Sequence, residues 1–325
     1  MTTPDLANHT AAMKHPGAPS LRHATPASHV QRAHGPERAV AHAASHAHEV
    51  VNALTVDVED YFQVSALAPH IERHRWDAME CRVERNIARL LALFDERKAK
   101  ATFFTLGWIA ERYPSMVREV VAQGHELASH GLSHLRASDQ SHDEFRSDVE
   151  GARKLLEDIV GVQVRGYRSP SFSIGQGNLW AFDCIAAAGY RYSSSVYPVR
   201  HDHYGMPDAP RFAFRTHNGL LELPITTTRV LSRNLPAGGG GYFRLLPYRA
   251  SRWAIHRVNR LDRQPAIFYF HPWEIDPHQP RVGGVSAKTR FRHYLNLDRT
   301  ESRLSRLLSD FRWDRIDRVF EIDAA

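Results

Sequence analysis

Cysteine is scarce in this sequence of 325 residues, in which only Cys81 and Cys184 occur. Two cysteines this far apart have no metal-type spacing and cannot form a disulfide framework. The chain also lacks a run of about 18 apolar residues, which argues against a membrane-spanning helix. Because residues 1–48 lack the apolar segment of a secretory signal, we expect cytoplasmic residence.

Nucleotide-binding motifs are absent as well, since the sequence has no GxGxxG pattern, no P-loop and no internal repeat. Lysine and arginine together number 42 against 36 aspartates and glutamates, which gives a formal net charge of +6. These charges are spread along the chain rather than clustered. We therefore predict a mildly basic solvated surface and no nucleic-acid partner.

Residues 1–49 differ in composition from the remainder of the chain. They are rich in alanine, proline and histidine and show no hydrophobic periodicity. This composition predicts a disordered leader, because such a segment cannot bury enough apolar surface to fold. Regular patterning begins at Val51, so residues 50–325 are predicted to form the folded domain.

Short apolar runs alternate with segments of helical spacing along this domain. The predicted strands are Val51–Asp57, Ala101–Leu106, His125–Ser129, Val164–Arg168, Tyr190–Val196, Gly219–Pro224 and Pro265–Phe270. Repeated alternation of this kind predicts a parallel sheet, and about seven units favour a closed or nearly closed β/α barrel. We also predict one helix over Ile109–Ala122 and a flexible loop, a mobile lip for substrate, over Gly238–Gly241.

Residues that could bind a metal ion or transfer a proton lie at the ends of several predicted strands. Asp57, His130, Arg168 and His271 each end an apolar run. In a β/α barrel the active site lies at the carboxyl ends of the strands, so these side chains are predicted to converge. His130 and His134 have the four-residue separation of paired metal ligands.

A third ligand is required, because two histidines alone do not hold a divalent ion. The segment that includes Asp57, Glu59 and Asp60 offers carboxylates for this purpose. A bound ion would activate water, a second carboxylate would take its proton, and a histidine would protonate the leaving amine. An arginine beside the base would keep it ionised. Together these residues predict an amide hydrolase.

Four motifs in this order resemble the polysaccharide deacetylase family, also called the NodB homology or carbohydrate esterase family 4 group. They are Thr55-Val-Asp-Val-Glu-Asp, His130-Gly-Leu-Ser-His134, Arg168-Ser-Pro170 and Phe270-His271-Pro-Trp. Further motifs are similar to the subfamily of exosortase (PEP-CTERM) exopolysaccharide loci. The resemblance implies a distorted (β/α)7 barrel of the NodB type, with a subfamily-specific C-terminal extension.

The resemblance also implies a role for each matching residue. Asp57 would be the catalytic base, His271 the general acid, and Arg168 the residue that orients Asp57. The backbone N–H near Ser171 would help to form the oxyanion hole. The remaining implied residues are the metal ligands His130 and His134 and, around the acetyl pocket, Tyr269 and Trp273.

The sequence departs from the family pattern at three places, one of which is Ser171-Phe172, where the family often has the aromatic residue first. Val58 follows Asp57 where a ligand aspartate is usual, so the third ligand is Glu59 or Asp60. Strand alternation places Glu59 on the side of Asp57, whereas a turn would present Asp60, which we slightly prefer. Ser193 stands where many relatives carry an acid, so the residue that tunes His271 stays open.

These expectations describe a metal-dependent hydrolase that removes N-acetyl groups from a sugar of an exopolysaccharide or its precursor. The expected cofactor is a divalent ion, Zn²⁺ first, with Co²⁺ or another ion as alternatives. The expected partners are an N-acetylated polysaccharide or lipid-linked oligosaccharide and the exopolysaccharide synthesis machinery. The alternatives are a small-amide hydrolase on the same fold and a catalytically silent glycan-binding or scaffold protein of an export system.

Overall fold

The structure, a computed structural model, describes residues 50–201 and 205–322. The predicted leader, residues 1–49, lies outside the described residues and stays a prediction. Within the described residues, no helix is both long and apolar enough to cross a membrane.

Eleven strands are present in the described residues, and most are short. They are β1 (Val51–Val58), β2 (Thr102–Thr105), β3 (Glu126–Ser129), β4 (Gly166–Tyr167), β5 (Tyr192–Ser193), β6 (Phe214–Arg215), β7 (Leu221–Glu222), β8 (Thr227–Val230), β9 (Arg233–Pro236), β10 (Ile267–Phe270) and β11 (Arg312–Asp314). Each predicted strand lies at one of these positions, although the observed strands are shorter than most of the apolar runs.

Helices separate most of these strands. They are α1 (Val83–Glu96), α2 (Gly107–Arg112), α3 (Pro114–Ala122), α4 (His142–Val160), α5 (Ala181–Ala187), α6 (Gly240–Leu245), α7 (Tyr248–Arg257), α8 (Ala287–Tyr294), α9 (Leu297–Asp310) and α10 (Ile316–Val319). A π-helical turn over Val258–Asp262 extends α7.

The main sheet has the strand order β10-β1-β2-β3-β4-β5-β7-β6, with β11 paired in parallel to β1. All neighbours from β10 to β7 run parallel, whereas β6 is antiparallel to β7. The free edge of β10 is covered by residues outside the main sheet. Ile267 N–H donates to Thr226 Oγ1 (2.6 Å) and Tyr269 N–H to Gly238 O (2.7 Å). The fold is therefore a mixed α/β fold with a curled half-barrel sheet, and the predicted barrel class is confirmed.

Alternation along β1 separates the core from the site. Leu54, Val56 and Val58 are buried in the apolar cluster that includes residues of α1. Because successive strand residues point to opposite faces, Thr55 and Asp57 face the inside of the curled sheet. This strand therefore supports the helical layer with one face and supplies polar side chains with the other.

Two predicted elements differ from the structure. The single helix predicted over Ile109–Ala122 is two helices, because Tyr113 leaves helical geometry (φ −126°, ψ 53°) before Pro114, which begins α3. The flexible loop predicted at Gly238–Gly241 is wrong, since Gly238, Gly239 and Gly240 are buried and α6 begins at Gly240. A Cβ on Gly240 would overlap the Glu274 carboxylate, so glycine is needed for close approach rather than for mobility.

Candidate active site

Three buried side chains meet at the carboxyl ends of β1 and β3. Glu59 Oε1 lies 3.2 Å from His130 Nε2 and 3.0 Å from His134 Nε2. One ligand atom from each residue lies within 4.8 Å of the other two. Two imidazole nitrogens and one carboxylate oxygen form a donor set that suits zinc or a similar divalent ion.

Local backbone contacts aim both histidines at Glu59. His130 Nδ1 lies 2.8 Å from Arg168 O, which leaves its Nε2 to face the cluster. His134 has a positive φ of 56°, and the Arg73 guanidinium donates to its carbonyl (2.8 Å). The histidines are therefore held by the main chain and not only by the shared carboxylate.

The electrostatics of the cluster also fit a bound cation. Burial raises the pKa of Glu59, but the nearby His134 and His271 and the hydrogen bonds from His130 and His134 outweigh it. The result is a pKa well below the usual range. Glu59 is thus an anionic carboxylate among imidazoles, and the residues present fit a divalent ion.

Asp60 lies elsewhere. Its carboxylate accepts hydrogen bonds from the backbone N–H of Tyr61 (2.8 Å), Arg82 (2.5 Å) and Val83 (2.9 Å), at the start of α1. Burial raises the pKa of Asp60 to about 6 despite these bonds. The preference for Asp60 as third ligand is therefore corrected: strand alternation carries Glu59 to the histidines, while Asp60 caps a helix.

On one side of this cluster, Asp57 is paired with Arg168. Arg168 Nη1 donates to Asp57 Oδ1 (2.5 Å), and both side chains are buried. The same guanidinium donates to Thr55 Oγ1 (2.8 Å) and to the Oγ (2.9 Å) and main-chain O (3.0 Å) of Ser194. Arg168 thus fixes Asp57 in an ion pair, and each of its three side-chain nitrogens donates at least one hydrogen bond.

Glu222 holds the strand that supports Arg168. Its Oε1 accepts from the backbone N–H groups of Ser195 and Val196, each at 2.8 Å. Burial raises the pKa of this carboxyl. Glu222 therefore holds the backbone directly after β5, next to Ser194, which contacts Arg168.

His271, the predicted general acid, follows β10 with its Nε2 3.6 Å from Glu59 Oε1. Its Nδ1 lies 2.8 Å from Glu274 Oε1, and Arg244 Nε donates to Glu274 Oε2 (2.6 Å). Arg244 also donates to the carbonyl oxygens of His293 (2.9 Å) and Leu295 (3.0 Å). Glu274 is thus hydrogen-bonded to His271 and ion-paired with Arg244.

This chain of charges favours a protonated His271. Burial lowers the pKa of the imidazole, but the negative charges of Glu59 and Glu274 raise it to about 9. Burial likewise raises the pKa of Glu274, yet Arg244 and His271 hold it at about 2. His271 can therefore donate a proton at neutral pH, with Glu274 ionised behind it.

Aromatic rings lie around His271. Trp273 stacks between His271 (5.2 Å between centroids) and His293 (4.3 Å). Tyr269 lies 5.9 Å from the His271 ring and edge-on to Phe172. The structure thus brings both predicted pocket residues to the side of His271.

Ser171 lies near the same space in a strained backbone. Its φ of 55° is in the left-handed region, and its hydroxyl is hydrogen-bonded to that of Ser65. The Arg168 carbonyl three residues earlier is the one that contacts His130. This turn can present backbone N–H groups to the site.

Glu274 and Arg244 are the residues whose importance the sequence left undefined. Glu274 lies three residues after His271, in a capping arrangement in which its carboxylate accepts from His271 N–H (3.0 Å). That spacing is a signal that could have found it. Arg244, 30 residues away, had no such signal because only the fold brings α6 to Glu274.

Two family models match the chain side by side. Residues 75–192 match the model described as "Polysaccharide deacetylase", and residues 194–321 match "Domain of unknown function (DUF3473)". The boundary falls directly after β5, so that Asp57 and Arg168 precede it and His271 follows it.

Curated relatives match parts of the chain. A peptidoglycan-N-acetylglucosamine deacetylase of Bacillus cereus is 33% identical over 103 residues, which are 32% of this chain and 46% of the relative. A chitooligosaccharide deacetylase of Azorhizobium caulinodans is 37% identical over 76 residues, 23% of this chain and 36% of the relative. The matches span less than half the length of either relative.

One solved structure has the same fold over most of its length. It is a crystal structure of a Mycobacterium smegmatis protein grouped with the polysaccharide deacetylases, with a TM-score of 0.56 and 18% identity. The match covers 88% of this chain and 96% of that one. The polysaccharide deacetylase model thus matches about a third of this chain, residues 75–192, and the matching curated relatives are named as deacetylases.

Proposed function

We propose that this protein is a metal-dependent hydrolase that removes N-acetyl groups from sugars of an exopolysaccharide or its precursor. The observation that carries the proposal is the arrangement around Glu59, His130 and His134. Asp57, ion-paired with Arg168, lies two residues before Glu59 in the chain, and His271, hydrogen-bonded to Glu274, lies 3.6 Å from Glu59. An amide hydrolase needs this combination of an anionic base and a protonated acid around one reaction centre.

Glu59, His130 and His134 would hold the ion, with Zn²⁺ the first candidate. When bound, a divalent ion supplies Lewis-acid polarisation of the amide carbonyl and lowers the pKa of water. Three protein ligands leave open positions for water and substrate, as in other catalytic zinc sites. Asp60 is not part of this proposal, because it caps α1.

Asp57 and His271 would divide the proton transfers. Asp57, positioned by its ion pair with Arg168, takes a proton from the attacking water. His271, protonated at neutral pH, gives one to the departing sugar amine. The Ser171 turn would stabilise the developing oxyanion, and Tyr269 and Trp273 would bound the acetyl group.

The substrate class is supported by the relatives. The two matching curated proteins are named for peptidoglycan N-acetylglucosamine and for chitooligosaccharides, both N-acetylated glycans. The exopolysaccharide substrate, the synthesis machinery as partner and the cytoplasmic location rest on the sequence motifs and stay predictions.

The test is acetate release from chitooligosaccharides and from extracted exopolysaccharide, with and without added Zn²⁺ or Co²⁺. We expect metal-dependent release by the wild type and none by Asp57→Asn, which keeps the size of the side chain and removes its charge. Asp183→Asn is the matched control at an exposed aspartate, and it should retain full activity.

The alternatives predict different results. Release from small N-acetylated amides but from no glycan would favour a small-amide hydrolase. Absence of both stoichiometric metal and activity would favour a silent glycan-binding or scaffold protein. Equal activity in Asp57→Asn would refute the assignment of the base.

A further inference from the structure

A second surface, which does not include Glu59, His130 or His134, combines exposed apolar side chains with arginines. It is formed by the β8–β9 hairpin and by one side of α7 with its π-helical extension. We call it the hairpin patch, and it consists of Arg229, Leu231, Arg233, Trp253, Arg257 and Leu261. All six lie within residues 194–321, the part that matches the domain of unknown function.

The apolar members are unusually exposed. Leu231, at the turn of the hairpin, is 93% exposed, Leu261 is 65% and Trp253 is 50%. Leu231 and Leu261 border one cavity of about 390 Å³ with Arg211, Arg229 and Arg257, so the two leucines are neighbours. Large apolar residues gathered at one exposed place mark an interaction surface more often than scattered ones do.

Trp253, Arg257 and Leu261 follow each other at intervals of four residues. Arg257 lies over the Trp253 ring, with its guanidinium carbon 5.8 Å from the ring centroid. It borders the cavity beside Leu261. The three residues therefore share one side of the helix, with an arginine between two apolar residues.

Hydrogen bonds join the hairpin to this helix. Arg257 Nε donates to Arg229 O at 3.2 Å. Arg211 donates to Thr227 O (2.8 Å) in β8 and to Asp262 Oδ2 (2.9 Å) at the end of the π-helical turn. The leucines and arginines of the patch are thus held in one arrangement, and Arg211 neutralises the aspartate nearest to them.

The patch keeps a positive charge. Arg229 and Arg233, on the two strands of the hairpin, are exposed, and within the described part of the chain neither pairs with a carboxylate. Arg233 and Arg229 also border a second cleft of about 1060 Å³, which adjoins the first. Guanidinium groups with no counter-ion beside exposed leucines have the chemistry of a site for anionic amphiphiles.

We propose that the hairpin patch binds the surface of an anionic phospholipid bilayer. A headgroup phosphate lies between Arg229 and Arg257, and Leu231, Leu261 and the edge of Trp253 enter the boundary between headgroups and acyl chains. Tryptophan, arginine and leucine are the residues by which proteins anchor at this boundary. A soluble polyanion would use the arginines but would leave Leu231 and Leu261 without a function.

The test is flotation of the full-length protein with lipid vesicles. We expect binding to phosphatidylcholine vesicles that contain about 30% phosphatidylglycerol, weaker binding as salt increases, and little binding to phosphatidylcholine alone. Leu231→Ser with Leu261→Ser should reduce the bound fraction about ten-fold, because two apolar side chains no longer enter the membrane. Arg229→Gln with Arg233→Gln should reduce it about as much.

Matched controls remove the same chemistry elsewhere. Val162→Ser with Phe291→Ser removes two exposed apolar residues, and Arg146→Gln with Arg191→Gln removes two exposed arginines. Both control proteins should bind vesicles as the wild type does. Circular dichroism melting must show that every variant is folded, and a variant that is not is replaced by the corresponding single substitution.

Three results would overturn the proposal. One is a failure of the wild type to float with anionic vesicles. Another is equal binding by the double-leucine variant. A third is tight binding of hyaluronan fragments or single-stranded DNA that survives in the double-leucine variant, since this would identify a site for soluble polyanions. Each readout is independent of acetate release, so the result stands whether or not the proposed activity is found.

Discussion

The candidate active site has a base side, Asp57 with Arg168, and an acid side, His271 with Glu274 and Arg244. Each side contains a buried arginine–carboxylate ion pair, but the carboxylate has a different role in each. On the base side, Arg168 contacts Asp57 directly in a buried ion pair. On the acid side, Arg244 contacts Glu274, and Glu274 contacts His271, whose pKa is about 9. On the acid side the negative charges near His271, those of Glu59 and Glu274, favour its protonated form, whereas on the base side the arginine itself contacts the reacting group.

The two sides also differ in where they come from. Asp57, in β1, and Arg168, directly after β4, both precede residue 194, whereas His271, Glu274 and Arg244 belong to the part that matches the second family model. Neither part alone contains both a base and an acid. The site therefore depends on how the two segments pack, and substitutions on each side should have different signatures.

Arg168→Met should have the largest effect. It leaves Asp57, Thr55 and Ser194 without their buried partner, which should cost about 3–5 kcal/mol of unfolding free energy. The proposed deacetylation should fall at least about 1,000-fold, because Asp57 loses both its position and its charge partner. Urea unfolding and kcat/KM measure the two effects.

The corresponding change on the acid side, Arg244→Met, is the comparison. It should reduce kcat/KM only about ten-fold, because Glu274 still contacts His271. Equal losses in the two variants would show that the arginines do not differ in how directly they act.

Glu59→Ala and Asp60→Ala are a matched pair of substitutions at adjacent positions in the chain. Glu59→Ala should weaken Zn²⁺ binding at least about 100-fold, because it removes a ligand. Asp60→Ala should leave Zn²⁺ binding intact and reduce stability by about 1–2 kcal/mol, because α1 loses its cap. Calorimetric titration with Zn²⁺ and thermal melting test both, and loss of Zn²⁺ binding in Asp60→Ala would restore Asp60 as a ligand.

Glu274→Gln should affect the acid side alone. The pKa of His271 falls when the negative charge behind it is removed, so the alkaline limb of the kcat profile should move to lower pH and kcat should fall about ten-fold. Glu301→Gln, at an exposed ion pair with Arg89, is the control and should leave the profile unchanged. An unchanged alkaline limb in Glu274→Gln would exclude Glu274 from tuning the acid.

The stability of the metal-free protein should also report on His271. Its pKa is raised from 6.5 to about 9 on folding. The resulting stabilisation is complete below pH 6.5 and is lost as the pH rises through about 9. Urea unfolding with a chelator should show this decline in the wild type, and His271→Gln should flatten it.

Ser194→Ala should have the smallest effect. The hydroxyl accepts from Arg168 Nη2 and donates to Leu223 O, both bonds being buried. Its removal should cost about 1–3 kcal/mol of stability and only a few-fold in kcat/KM, because the Ser194 main-chain O still holds Arg168. A loss as large as that of Arg168→Met would mean that the hydroxyl, and not the guanidinium, positions Asp57.

Much of the fold was predictable from local patterns. Apolar runs that end in Asp57, His130, Arg168 and His271 indicated parallel strands with functional ends, and the structure brings these ends together. The helix break at Pro114 was visible in the sequence but was misjudged, because proline at a first turn and proline inside a helix look alike. The glycines at 238–240 were misjudged because close packing and mobility favour the same residue.

The sequence by itself determined the strand–helix order, the spacing of His130 and His134, and the set of residues available for a hydrolase. The choice of Glu59 over Asp60 required the end of β1 and the start of α1 to be known, since both residues are acids in one short segment. Arg244 became part of the site only through the packing of α6 on Glu274, at a separation along the chain where no local pattern extends. Side-chain periodicity is local and can be read from a sequence, whereas pairings between distant segments depend on how the whole sheet curls.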